Sequence, residues 1–213
     1  MEDKNYLESL VSKSAPDVHQ MEKYAEENGV PIMEPLGIHF LMQMVRIKQP
    51  KRILEVGTAI GYSALRMLEA YPDCHIVSIE RDEVRYKEAL ENVKKFGDEG
   101  KIQIILGDAL EVQQQVKKEG PYDLLFIDAA KGKYEEFFKL YSPLVTENGL
   151  IISDNVLFKG YVAAPDQASA RMAKLAGKIR NFNQKLMEHP DFSTTIVPIG
   201  DGVALTVRNS SST

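Results

Sequence analysis

From residue 52 onward, short β-rich apolar runs alternate with segments of helical period, and this rhythm restricts the fold more than any other feature. The runs are Arg52–Val56, His75–Glu80, Ile102–Leu106, Tyr122–Ile127 and Gly149–Ser153. Between them lie Gly61–Ala70, Asp82–Phe96, Ala109–Lys118 and Tyr134–Leu144, which read as helices. A strand, a helix and a further strand imply a crossover that returns the chain parallel to itself. Tyr122–Ile127 is nearly continuous in apolar residues, as a parallel strand covered on both faces must be. The repeated unit predicts a doubly wound α/β sheet. After a helix from Gln167 to Met187 the rhythm breaks. Ser193–Ile199 and Val203–Val207 are separated only by Gly200-Asp201-Gly202, which is hairpin chemistry. The expected fold is a mostly parallel seven-stranded sheet ending in an antiparallel hairpin.

The first fifty residues carry no strand pattern. Tyr6, Leu7, Leu10 and Val11 recur at helical spacing, and a second helix, with Asp17 as its N-cap, runs to the stop signal Asn28-Gly29. Pro31 and Pro35 force an extended or turned connection before a third helical period, Leu36–Ile47. Residues 1–50 are read as a helical cap on an α/β core of residues 51–208, within a single domain of 1–213 whose residues 209–213 form a frayed tail. A length of 213 residues, 44% of them hydrophobic and 27% charged, suits one full core and excludes wholesale disorder. The net charge of −5 argues against a general nucleic-acid coat protein but leaves room for a local basic patch. One cysteine, Cys74, allows no internal disulfide. The charged start Met1-Glu2-Asp3-Lys4 leads into no apolar run, and no stretch is long enough to span a bilayer. The expected location is the cytoplasm, with no membrane partner.

In open α/β sheets ligands bind at the carboxyl ends of the strands, so the residues closing each strand are the informative ones. The first strand runs into Gly57-Thr58-Ala59-Ile60-Gly61, a turn that lets backbone approach a ligand before a helix N-terminus; close packing alone would also call for such glycines. Glu80 closes the second strand, where an acid can accept hydrogen bonds from both ribose hydroxyls of a nucleoside; its bland reading is a helix-capping acid, for which Asp82 is better placed. Ala59 stands where a pyrophosphate-binding fingerprint needs its middle glycine, and no phosphate-cradling P-loop occurs. A ribose- and adenine-bearing cofactor without phosphates, S-adenosylmethionine (SAM), fits better than a dinucleotide. Strands four and five end in Asp128-Ala129-Ala130-Lys131 and Asp154-Asn155. Two carboxylates and an amide make a hard oxygen set suited to Mg²⁺, with Lys131 one short turn away.

Glu55-Val-Gly-Thr-Ala-Ile-Gly-Tyr-Ser63, Ser78-Ile-Glu80, Gly107-Asp108-Ala109, Ile127-Asp-Ala-Ala-Lys131 and Asp154-Asn155 together resemble the class I, Rossmann-like, divalent-metal O-methyltransferases, which include the catechol and caffeoyl-CoA enzymes. In length and wording the chain looks most like the bacterial branch that methylates 5-hydroxyuridine at the tRNA wobble position. The resemblance implies that Glu55 binds the amino end of SAM, with Ser63 near its carboxylate and Gly57 under the sulfonium. Met33 would cover the cofactor, Glu80 hold the ribose, and Asp108 and Ala109 frame the adenine. Asp128, Asp154 and Asn155 would be the metal ligands, Asp128 also neighbouring SAM. Lys131 would accept the substrate proton, and the active form is expected to be a homodimer.

A catechol and a 5-hydroxyuridine both offer two vicinal oxygens, so these motifs do not choose the acceptor. The segment Gln167–Met187 carries Arg171, Lys174, Lys178, Arg180 and Lys185 and no acid. It is either an ordinary amphipathic helix with a basic solvent face or a phosphate-contacting surface, extended by Lys133 and Lys159. The expectation is a tRNA substrate met through Arg171, Lys174 and Lys178, with a small phenolic acceptor as the alternative. A non-catalytic SAM-binding scaffold would have no use for the metal set. A nicotinamide dehydrogenase is the remaining enzyme alternative.

Overall fold

The computed structural model describes residues 2–11, 15–97 and 99–209. Seven strands form one sheet: β1 (Arg52–Val56), β2 (His75–Glu80), β3 (Ile102–Leu106), β4 (Tyr122–Ile127), β5 (Val145–Ser153), β6 (Phe192–Val197) and β7 (Val203–Arg208). Their order is β3-β2-β1-β4-β5-β7-β6. β1 to β5 are parallel, and β7 pairs antiparallel with both β5 and β6. The expected doubly wound sheet with its closing hairpin is therefore the one present. Strand order reverses between β1 and β4, and a crevice opens at their carboxyl ends, as at other topological switch points.

The helices are α1 (Glu2–Leu10), α2 (Pro16–Asn28), α3 (Pro35–Lys48), α4 (Tyr62–Ala70), α5 (Glu83–Phe96), α6 (Gln113–Glu119), α7 (Tyr134–Tyr141) and α8 (Ala170–Met187). The sheet separates two apolar layers. One packs β-strand side chains such as Leu54 and Leu125 against Phe138 of α7 and Ile179 and Phe182 of α8. The other joins Ile53, Ile76 and Phe126 to Ile38 and Leu41 of α3 and Met67 of α4. Because α2 and α3 belong to that second layer, the helical N-terminal segment is anchored to the sheet and brings Met33 to its carboxyl edge. No helix among the described residues is long and apolar enough to cross a membrane.

Several boundaries differ from the sequence reading, each for a local reason. The N-cap of α2 is Ala15 rather than Asp17; Pro16 begins the helix with its fixed φ, and Asp17 lies in the first turn, where its charge complements the helix dipole. Ala109–Val112 is not helical. The Asp108 carboxylate accepts the Leu110 N–H at 2.8 Å and closes a local turn, so α6 starts only at Gln113. β6 ends at Val197, since Pro198 cannot donate to the ladder, and the hairpin connection is longer than Gly200-Asp201-Gly202. β5 begins at Val145 across an irregular register with β4. α8 starts at Ala170, capped by Ser169, after a separate 3₁₀ turn at Pro165–Gln167. Of the tail, residues 210–213 lie outside the described residues.

Candidate active site

A cavity of about 600 Å³ occupies the carboxyl edge of the sheet. Its floor is the turn after β1. Gly57 has φ +106°, and a Cβ there would lie 2.0 Å from the Asp128 carbonyl oxygen, so no other residue fits. The Gly57 and Thr58 N–H groups both donate to the Ile79 carbonyl, at 3.1 and 3.2 Å, which ties the turn to the end of β2. Glu80 completes the tie. Its Oε2 accepts the Ala59 N–H at 2.8 Å, and its Oε1 accepts those of Arg81 and Asp82, each at 2.9 Å. Asp82, not Glu80, caps α5, accepting the N–H groups of Val84 and Arg85. Glu80 is thus freed from capping and lines the cavity where a ribose is expected, while also bracing the glycine turn.

Ser63, Gly57, Met33, Asp108 and Ala109 line the same cavity. Met33 is buried over it from the extended segment between α2 and α3. Ala109 is fixed from behind, its carbonyl accepting the Tyr141 hydroxyl at 2.5 Å. Glu55 is the exception. It is fully buried and does not reach the cavity wall. The hydroxyls of Ser63 and Ser78 donate to its two carboxylate oxygens at 2.5 Å, and Thr58 Oγ1 meets Ser78 Oγ at 2.5 Å. Burial raises the Glu55 carboxyl to about 8 against the opposing pull of the two serine hydrogen bonds. The structure therefore presents Ser63 to the cavity and keeps Glu55 beneath it as the group that orients Ser63.

Opposite this half stand Asp128, Lys131, Asp154 and Asn155, all in the lining. Their closeness follows from register. Ile127 of β4 pairs with Ser153 of β5, so the next residue of each strand is an aspartate on the same edge. The Asp154 N–H donates to the Ile127 carbonyl at 3.0 Å, and the Asp128 N–H to that of Val56 at 3.0 Å. Burial raises both carboxyls. Lys131 opposes the rise at Asp128; Asp154 is pushed up to about 7 by burial and then by Asp128 itself. Two buried carboxyls on neighbouring strand ends, one raising the other, call for a positive charge between them or a shared proton. Asn155 follows with φ +60°, a left-handed conformation that asparagine tolerates better than most residues. Among the described residues no group of three or more His, Cys, Asp or Glu could hold a metal. The set on offer is two carboxylates and an amide, a hard-oxygen set that fits a divalent cation such as Mg²⁺ with positions left for substrate oxygens.

The structure adds residues that sequence reasoning did not single out. Tyr62, Arg81, Arg85 and Phe137 line the cavity. So does Asp201, read from sequence only as a turn residue; its Oδ1 accepts the Lys159 N–H at 2.6 Å, and its charge adds to the upward push on Asp154. An acid between two hairpin glycines has no spacing signature, so its arrival here follows from the sheet order alone. On α8 the five basic residues separate into two groups. Arg180 donates to the Val162 carbonyl, and Lys185 pairs with Glu135 at 2.7 Å. Arg171, Lys174 and Lys178 are exposed and make no ion pair with another described residue. Lys178 and Lys131 share a smaller cleft of about 310 Å³ beside the main cavity.

The model of the O-methyltransferase family matches residues 3–209. A caffeoyl-CoA O-methyltransferase from Populus trichocarpa is 35% identical over 178 residues, covering 79% of this chain and 71% of the other. A crystal structure from Staphylococcus aureus superposes with a TM-score of 0.92 at 34% identity, over 98% of this chain and all of the other (100%). A Podospora anserina methyltransferase, solved with SAH (the product of methyl donation by SAM), gives 0.87 at 26% identity over 98% and 94% of the two chains. The family match takes in the cap, the sheet and the whole cavity lining, and this chain accordingly belongs to the O-methyltransferase family as a SAM-dependent enzyme.

Proposed function

We propose that the enzyme transfers the SAM methyl group to a hydroxyl that has a second oxygen beside it, with a divalent cation, and that its acceptor is 5-hydroxyuridine at the tRNA wobble position. The observation that carries the chemistry is the Asp128–Asp154 pair on adjacent strand ends, with Lys131 in the same cavity as the ribose acid Glu80. When bound by Asp128, Asp154 and Asn155, the cation supplies a Lewis acid that lowers the hydroxyl pKa and a template for the two oxygens. The protein does the rest. Glu80 and the Gly57 turn hold the donor, Met33 covers it, and Ser63 receives its amino-acid end. Lys131, as the neutral amine, takes the hydroxyl proton at Nζ. The oxygen attacks the methyl carbon in line, the carbon–sulfur bond breaks, and its electron pair stays on sulfur in SAH.

The tRNA acceptor is supported by the basic surface beside the site. Lys159 lies in the lining, Lys178 adjoins Lys131, and Arg171 and Lys174 continue along α8. On a chain of net charge −5 this concentration suits a polyphosphate backbone. A second reading follows from the poplar relative's name: caffeoyl-CoA has two vicinal phenolic oxygens and would use the same cations for its phosphates. The test is mass spectrometry of nucleosides after incubating enzyme and SAM with tRNA lacking wobble O-methylation, run beside caffeoyl-CoA. The expected product is 5-methoxyuridine, abolished by EDTA and by Asp154→Ala, with SAM affinity of that variant within about twofold of wild type by calorimetry. Turnover of caffeoyl-CoA alone would transfer the assignment to the small acceptor. Full activity of Asp154→Ala in EDTA would remove the cation from the mechanism.

A further inference from the structure

Of the three candidate cation ligands, Asn155 is the one in the left-handed region, and the means that hold it there lie outside the cavity. Its φ of +60° is fixed by the two peptide units on either side. The carbonyl of the first, that of Asp154, accepts the Tyr134 hydroxyl at 2.9 Å. The N–H of the second, that of Val156, donates to the Gly202 carbonyl at 2.9 Å. One unit further on, the Val156 carbonyl accepts Asn183 Nδ2 at 2.8 Å. Tyr134 and Asn183 are both buried, on α7 and α8, and the ring of Tyr134 meets that of Phe182, the neighbour of Asn183, edge to face at 5.6 Å.

We infer that Tyr134 and Asn183 are positioning residues that hold Asn155 in the conformation that presents its amide oxygen to a bound divalent cation; this rests on the proposed cation site. Two observations separate this role from ordinary core packing. Asn183 Oδ1 is buried with no hydrogen-bond partner among the described residues, a cost that a leucine of similar size would not carry. The amide is therefore a poor choice for packing alone, and its one satisfied bond is the grip on the Asn155 loop. Tyr134 likewise reaches past the core to a main-chain carbonyl beside a candidate ligand rather than to water. The arrangement also ties the loop to α8, whose opposite face carries Lys174 and Lys178, so the helix proposed to meet the acceptor is hydrogen-bonded to the loop proposed to meet the cation.

The test is Mn²⁺ binding to the full-length protein, followed by electron paramagnetic resonance, with SAM affinity measured by calorimetry. Tyr134→Phe removes only the hydroxyl and leaves the ring on Phe182; Asn183→Leu removes the amide. Each is expected to weaken Mn²⁺ binding by roughly 10–100-fold, the usual effect of losing a group that orients a ligand. SAM affinity should stay within about twofold. Because both act through Asn155, Tyr134→Phe added to Asn155→Ala should cost no further Mn²⁺ affinity. Wild-type Mn²⁺ affinity in Tyr134→Phe, or full additivity with Asn155→Ala, overturns the inference while leaving the cation site standing. Absence of Mn²⁺ binding by the wild-type protein overturns both.

Discussion

At the scale of single residues, the same chemical group takes opposite roles according to what seals it. Glu80 is braced by three backbone N–H groups at the cavity wall, whereas Glu55, one strand away, lies beneath that wall on two serine hydroxyls. If Glu80 also accepts the ribose hydroxyls, Glu80→Ala should weaken SAM binding by ~1.5–3 kcal/mol, or more where the glycine turn loosens with it. Titration calorimetry reads this directly, and unchanged affinity would leave Glu80 as a brace for the turn only. Glu55 titrates at about 8 in the folded chain against 4.5 for a free glutamate, chiefly through burial. The folded state then binds more protons than the unfolded state across that interval, so stability falls as pH rises from about 4.5 to about 8. Glu55→Gln removes this contribution. Its stability relative to wild type should grow by roughly 3–5 kcal/mol over the interval, from 1.36 kcal/mol per unit of pKa. Urea unfolding at both ends of the range measures it; parallel curves would mean that Glu55 is charged and compensated.

At the scale of the element, the β1–α4 connection decides whether a cavity exists at all. Gly57 lets the Asp128 carbonyl of the neighbouring strand close onto the turn, and the left-handed Ala59 and Gly61 finish the bend before α4 begins. Gly57→Ala must push β4 away from β1 or distort the turn, and is expected to cost more than ~3 kcal/mol and to abolish SAM binding. Gly160→Ala is the control. Its φ is +79°, yet a Cβ would meet nothing within 4 Å, so only the left-handed backbone cost of about 1–2 kcal/mol applies. Thermal denaturation of the two variants compares crowding with conformation, and equal losses would show that the close approach at Gly57 carries no weight.

At the scale of the whole molecule, an acidic chain carries the exposed cations Arg171, Lys174 and Lys178 on a helix beside its catalytic edge. Replacing Arg171, Lys174 and Lys178 together by alanine should raise KM for tRNA and reduce the log–log salt slope by ~0.7–0.9 for each phosphate that is no longer neutralised. Turnover of a small catechol should be unaltered, since no residue of the cavity changes. Filter binding at graded salt checks the slope. If both the slope and tRNA methylation are unmoved, α8 is a solvated amphipathic face, and the tRNA assignment loses the surface on which it stands.

The strand–helix rhythm, the closing hairpin and the residues at each strand end were legible in the chain because local patterning decides them: period two or 3.6, glycine where the backbone bends, proline where a ladder stops. From them follow the sheet and the places of Glu80, Asp128, Asp154 and Asn155, since a residue that closes a parallel strand lies on one known edge. What local pattern could not specify is which edge residues meet and which stay beneath the surface. Glu55 and Glu80 both belong to strands that end at this edge and both are buried, yet only packing between β1, β2 and α4 seals one beneath the cavity and brings the other to its wall. Asp201 reaches the site because β7 inserts between β5 and β6, an order that hairpin chemistry leaves open. Tyr134 and Asn183 hold Asn155 through hydrogen bonds spanning 20 and 27 residues of chain. Such bonds form only once two helices have docked on one face of the sheet, so it was the tertiary structure that decided them.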